Sequence, residues 1–114
     1  RYTYQFMESS ESFTVCAFPP QYRKTLTLLG TKSGREIDKV KASELTPIPS
    51  SQIDCPGFAE ADLILECRKI YFNDLQPANA AESIHPLYPD EDYHRLYFGE
   101  ILAIHGEPRY QKKL

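Results

Sequence analysis

Three short stretches of the chain carry residue types that could do chemistry. Gly30-Thr31-Lys32-Ser33-Gly34-Arg35 joins small residues, hydroxyls and two cations just before an expected helix start. Backbone N–H groups at such a start point outward, and the helix dipole favours an anion there. Lys32 and Arg35 add positive charge where a phosphate would sit. The G-x-x-x-x-G-K-[ST] pattern of a Walker A loop is not satisfied. The plain alternative is a solvated loop followed by an ordinary capping box. Arg1-Tyr2-Thr3 places an Arg and a hydroxyl two residues apart, a pair able to grip a phosphate or a polyhydroxy chain. Asp92-Tyr93-His94-Arg95-Leu96-Tyr97-Phe98-Gly99-Glu100 sets a histidine at a strand start among aromatics and acids. Such a histidine can titrate near neutrality and hydrogen-bond a flat ring. Its plain alternative is a surface histidine at a strand end.

Other chemistries find little support. His85, His94 and His105 are widely spaced, and none stands at zinc spacing from a cysteine, so no metal ligand is assigned. Cys67 falls mid-strand on an apolar face, which suits core packing rather than nucleophilic attack. Cys55, in a Pro-Gly loop, should be the more exposed thiol. Three cysteines without C-x-x-C spacing argue against a disulfide framework and suit a reducing, cytoplasmic compartment.

The elements that must position these residues follow from periodicity. Residues 3–10 read as a short helix or turn with Thr3 as N-cap. Phe13 to Phe18 is a strand stopped by Pro19-Pro20. Gln21 to Leu29 has helical spacing, with Gly30 placed to end it as a C′ glycine. Residues 33–44 form a second predicted helix, opened by a Ser33–Glu36 capping box. Thr46 to Pro56 should be a loop with extended pieces. Ala61 to Phe72 is a long strand, with Leu63, Leu65 and Cys67 on one face and Glu66 and Arg68 on the other. Asn73 to Asp92 is loop-like, with a turn of helix expected near Ala78–Ser83. Tyr93 to Ile104 is a second long strand, in which Gly99 would permit a bulge or a close approach. Residues 107–114 are a polar tail expected to fray unless held.

The 114 residues fit one domain. Their 41% hydrophobic and 25% charged content is that of a globular chain rather than a disordered one. A net charge of −3 gives no basic footprint for nucleic acid. No apolar run approaches a membrane span. Three long strands are too few to close a barrel, so further strands are expected from elsewhere.

Four blocks together resemble the flavin reductase-like family of FMN-binding split barrels, in particular its flavoredoxin-type branch. They are Arg1-Tyr2-Thr3-Tyr4-x-Phe6 with Ser12-Phe13-Thr14-Val15; Gly30-Thr31-Lys32-Ser33-Gly34-Arg35-Glu36-x-Asp38-Lys39; Ala61-Asp62-Leu63-x-Leu65-Glu66-Cys67-Arg68; and Asp92-Tyr93-His94-Arg95-x-Tyr97-x-Gly99-Glu100-Ile101. They occur in family order across nearly the whole chain.

The resemblance implies a mainly β fold with short helices, a Greek-key split barrel, with residues 1–114 as the C-terminal two-thirds of one domain. The family's N-terminal strands are expected to lie outside the chain, which begins at Arg1 rather than Met. It also implies a homodimer that binds FMN and acts as an NAD(P)H-dependent flavin oxidoreductase, with no nucleic-acid or membrane partner. By position, Arg1, Thr3, Lys32, Ser33, Gly34 and Arg35 are candidates for the cofactor's phosphate and ribityl end. His94 is a candidate contact to flavin or nicotinamide. The alternative function is a non-catalytic split-barrel module for dimerisation or ligand binding. A different ligand in the same fold, such as haem with His94 and Tyr97 recruited, is a further rival.

Overall fold

The computed structural model describes residues 2–111. The elements run α1 (Tyr2–Ser9), β1 (Ser12–Ala17), α2 (Arg23–Thr31), α3 (Lys39–Ser43), β2 (Pro47–Ile48), β3 (Gly57–Phe58), β4 (Leu63–Asp74) and β5 (Arg95–Gly106). Single 3₁₀ turns at Pro20–Tyr22, Pro77–Asn79, His85–Leu87 and Pro108–Tyr110 punctuate the connections. Each has a proline at its first or second position, where a missing N–H costs nothing.

β4 is the organising strand. It pairs antiparallel with β1, from Ser12 opposite Arg68 to Ala17 opposite Leu63. Its other edge pairs antiparallel with β5, from Leu63 opposite Gly106 to Asp74 opposite Arg95. The sheet order is therefore β1-β4-β5, and β2 and β3 form a separate two-stranded ladder. The molecule is mainly β with short helices, as expected. The three long strands fall one or two residues from their predicted bounds, within ordinary boundary scatter. No closed barrel forms among the described residues.

The helices differ from expectation, for local reasons. α1 starts at Tyr2, so Thr3 lies inside the helix and is not its N-cap. Gly30 lies inside α2 with φ below zero, and the helix ends at Thr31. Its last carbonyls are met by side chains instead of a C′ glycine: Lys39 Nζ donates to Leu29 O at 2.7 Å, and Thr31 Oγ1 donates to Leu28 O at 3.3 Å. Ser33 opens a turn rather than a helix. Its Oγ accepts from the Arg35 N–H at 3.1 Å, and its carbonyl accepts from Glu36 and Ile37. The true cap is Asp38, which accepts from the Lys41 N–H at 3.2 Å. The second helix is thus residues 39–43, not 33–44. The turn expected near 78–83 forms at Pro77–Asn79.

The tail does not fray over its described part. Arg109 pairs with the buried Asp62 carboxylate, and Tyr110 Oη donates to Asp62 Oδ1 at 3.1 Å. Glu107 N–H donates to Asp62 O at 3.0 Å. A partner inside the chain supplies the anchor that a polar sequence does not announce. Residues 112–114 lie outside the described residues.

The core straddles β4. Ile64, Cys67 and Leu45 are buried, and so are Asp62, Glu66 and Ser43. Leu96, Phe98, Leu102 and Ile104 of β5 are exposed, and the ladder shifts register between Glu66 and Cys67, opposite Ala103 and Ile101, so the strand's alternation is interrupted at Leu102. Gly99 meets its expected role. A Cβ built there would stand 2.5 Å from Phe13 Cζ, so only glycine lets the Phe13 ring close over the sheet. The register shifts between Lys69 and Tyr71, beside the Lys69–Gly99 pair.

Candidate functional site

The hydroxyl-rich turn and the N-terminal helix meet. The 32–38 turn packs against the first residues of α1: the Arg35 guanidinium lies 5.2 Å over the Tyr2 ring, and the Gly34 backbone faces the same ring. Between them lies a cleft of about 450 Å³ lined by Tyr2, Thr3, Phe6, Gly34 and Asp38 among others. Lys32 is exposed at the end of α2, where its backbone turns extended. Neither Lys32 nor Arg35 makes an ion pair among the described residues. Two cations without an ion-pair partner among the described residues and the Ser33 hydroxyl thus sit on one turn beside a cleft that carries the Tyr2 and Phe6 rings. That is a donor set suited to a phosphate.

Thr3 also lines a second, larger cleft of about 830 Å³ on the other side of α1. This one reaches Asp92, Tyr93, His94 and Arg95 at the start of β5. Thr3 and Gly34 share one cleft, and Thr3 and His94 share the other. Lys32, Ser33 and Arg35 line neither. Arg1 lies outside the described residues.

Arg95 holds these parts in register, a role sequence reasoning missed. Its guanidinium takes Glu8 of α1 at 2.6 Å and grips Asp74 of β4 in a two-pronged bond at 2.6 and 3.1 Å. It stacks 4.4 Å over Phe72 and 5.5 Å over Tyr4. Tyr97 Oη donates to the other Glu8 oxygen at 2.6 Å. Lys69 Nζ donates to the Met7 carbonyl. Together these bonds dock α1 onto the β4–β5 ladder and so fix where Thr3 stands.

The charges respond accordingly. The Tyr97 hydrogen bond, with help from Arg95 and Lys69, holds Glu8 below the usual carboxylate range. The Arg95 bond lowers Asp74 in the same way. Burial first, and then Glu8, push Tyr97 up to about 12. Its hydroxyl proton is directed at Glu8. The only sequence signal for this hub was an Arg two residues from a Tyr on one strand face; its partners come from distant segments.

His94 is exposed and closes a small aromatic loop. Tyr88 Oη is hydrogen-bonded to His94 Nδ1, and the rings meet edge-on with centroids 5.2 Å apart. Tyr93 Oη is hydrogen-bonded to His85 Nδ1 at 2.8 Å. The Tyr88 and Tyr93 rings lie 4.7 Å apart. The His94 carbonyl accepts from the Leu75 N–H at 3.1 Å.

A second missed cluster is buried on β4. Glu66 has 1% of its surface exposed. It accepts from the backbone N–H groups of Ser51 and Gln52 at 3.0 and 2.7 Å, from Ser51 Oγ at 3.0 Å, and pairs with His105 Nε2 at 2.5 Å. Burial alone would raise this carboxyl; the four donors overcome that and hold it at about 2. Ser51 and Glu66 both address the same His105 nitrogen, so this is not a nucleophile–base–acid relay. It pins the 49–56 loop to the sheet. Cys67 is buried and its thiol is pushed up by burial, which fits core packing. Cys16 and Cys55 are both partly exposed.

Comparison with known proteins identifies the family and the fold. The family model described as flavin reductase like domain matches residues 1–113. No curated protein sequence matches the chain. Among solved structures, nitrilotriacetate monooxygenase component B from Bacillus cereus superposes with a TM-score of 0.75 at 20% identity, covering 99% of this chain and 51% of that one. Flavoredoxin of Desulfovibrio vulgaris gives 0.70 at 22% identity, covering 95% and 49%. An FMN-binding protein from Thermus thermophilus, solved with bound p-hydroxybenzaldehyde, gives 0.70 at 18% identity, covering 95% and 50%. The chain therefore spans about half the length of these structures. No helix among the described residues is long and apolar enough to cross a membrane.

Proposed function

We propose that this chain, which belongs to the flavin reductase like domain family, holds FMN and serves an NAD(P)H-dependent flavin oxidoreductase. The carrying observation is the packing of the Lys32–Asp38 turn against the start of α1, with Thr3 bridging two clefts. The residues present fit an organic phosphate. Lys32 and Arg35 make no ion pair among the described residues, Ser33 and Thr3 supply hydroxyls, and the cleft wall carries the Tyr2 and Phe6 rings. In this reading Thr3, Lys32, Ser33, Gly34 and Arg35 take the phosphate and ribityl end, together with Arg1. His94 stands in the larger cleft as a contact to the ring of flavin or nicotinamide. Bound FMN would supply the redox centre, accepting a hydride from NAD(P)H and passing electrons to an acceptor. The protein's part is to bind, orient and shield. An FMN-binding structure with a similar fold supports this reading. Assembly as a homodimer in the cytoplasm completes the proposal.

The test is to add FMN, remove the excess, and read the visible flavin band before and after NADH or NADPH. A retained band that bleaches supports the reading; no retained band refutes FMN binding by this chain. Lys32→Ala should weaken FMN about 10- to 100-fold, the worth of one charge-assisted contact. Unchanged affinity would remove Lys32 from the site.

A further inference from the structure

We propose that Tyr88 is a positioning residue for His94. It fixes the imidazole as the tautomer with its proton on Nε2 and presents that N–H to the larger cleft. The argument begins with the bond between Tyr88 Oη and His94 Nδ1. A neutral imidazole has one donor and one acceptor nitrogen. A phenol is far more acidic than a neutral imidazole N–H, so the phenol donates and Nδ1 accepts. The proton must then reside on Nε2. Among the described residues Nε2 has no hydrogen-bond partner, and His94 lines the cleft.

Tyr88 is itself held in place. Its ring stacks on Tyr93, whose hydroxyl is tied to His85. Its backbone carbonyl accepts from the Glu91 N–H at 3.0 Å, closing a turn in which Glu91 adopts a left-handed φ of 56°. The two Tyr–His pairs interleave, so residues 85–94 close on themselves. The Leu75 N–H then fastens the backbone of His94 to the end of β4.

The consequence is chemical. A fixed N–H at the cleft selects a ligand with a carbonyl oxygen facing it, such as a flavin ring carbonyl or a carboxamide. It disfavours a ligand presenting a donor there. This rests on the FMN reading only for the identity of that ligand; the tautomer itself does not depend on it.

The test uses the full chain labelled with ¹⁵N-histidine, studied by NMR at about pH 8, where an ordinary histidine is neutral. His94→Gln assigns the signals. In the unmodified protein His94 should be a single tautomer protonated on Nε2. In Tyr88→Phe it should relax to a mixture, with an unchanged melting temperature. With FMN loaded, Tyr88→Phe should slow bleaching by NADH about fivefold, the worth of one hydrogen bond, while the flavin stays bound. A proton on Nδ1, or a tautomer that ignores Tyr88→Phe, overturns the proposal even if FMN binds. Failure to retain FMN refutes the functional reading instead, and the NMR result still decides the tautomer.

Discussion

Replacing Gly99 by alanine isolates the contact that sets the sheet's packing. The new Cβ would stand 2.5 Å from Phe13 Cζ, 2.9 Å from Phe13 Cε1 and 3.0 Å from Cys67 Cβ. Carbon pairs prefer roughly 3.5–4.0 Å, so the ring must retreat by about 1 Å or the strands must part. Overpacking of this kind costs about 1–3 kcal/mol. Alanine returns about 0.5–1 kcal/mol by restricting the unfolded chain. The net expectation is a loss of about 1–2 kcal/mol. For a domain of this size that lowers the melting temperature by roughly 4–8 °C. Thermal and urea unfolding followed by circular dichroism would measure it. Phe13→Leu supplies the control, because leucine lacks the two ring atoms that clash. In that background Gly99→Ala should cost less than about 0.5 kcal/mol, giving a coupling of about 1 kcal/mol. An equal penalty in both backgrounds would refute the reasoning, as would a Gly99→Ala protein as stable as the parent.

Two further outcomes follow from the buried and paired charges. The Glu66 carboxyl sits at about 2 when folded, against 4.5 when free. Because the folded value is the lower one, its contribution is complete above about 4.5 and fades as pH falls toward 2. Glu66→Gln should therefore be clearly less stable than the parent at neutral pH, with the gap narrowing through that acid window. A gap independent of pH in urea midpoints would contradict the assignment. Arg95→Gln should release α1 from the sheet, so that amides of Met7 to Ser10 exchange about tenfold faster or more while the centre of β4 stays protected. Uniform acceleration across the sheet would show that Arg95 supports the whole fold rather than the helix dock.

The long strands were legible because period-2 patterning and proline stops act within a few residues. Phe13–Phe18, Ala61–Phe72 and Tyr93–Ile104 all appear within two residues of their expected bounds. Gly99 was legible for a similar reason: a lone glycine in a strand signals a close approach. The helix ends were not legible. Ser33 and Glu36 have the spacing of a capping box, yet the Ser33 hydroxyl serves Arg35 and the helix waits for Asp38. Gly30 has the look of a terminator, but Lys39 reaches back ten residues to meet the carbonyl that a C′ glycine would have served. Capping is a contest among nearby donors, and a side chain from the next element can win it.

Taken alone, the sequence determined the fold class, the order of the strands along the chain and the hydroxyl-rich turn with its two cations. Those depend on local pattern, which the chain carries residue by residue. It also carried the four blocks that marked the family. Only the tertiary structure decided that Glu66, to all appearance a solvent-facing strand residue, is fully buried, because its four donors come from a loop and a neighbouring strand. It decided that Arg95 joins α1 to β4, since Glu8 and Asp74 lie 87 and 21 residues away along the chain. It likewise placed Thr3 between two clefts and tied the tail to Asp62. A charge's partners are set by which segments fold against it, and that proximity is written in no single stretch of sequence.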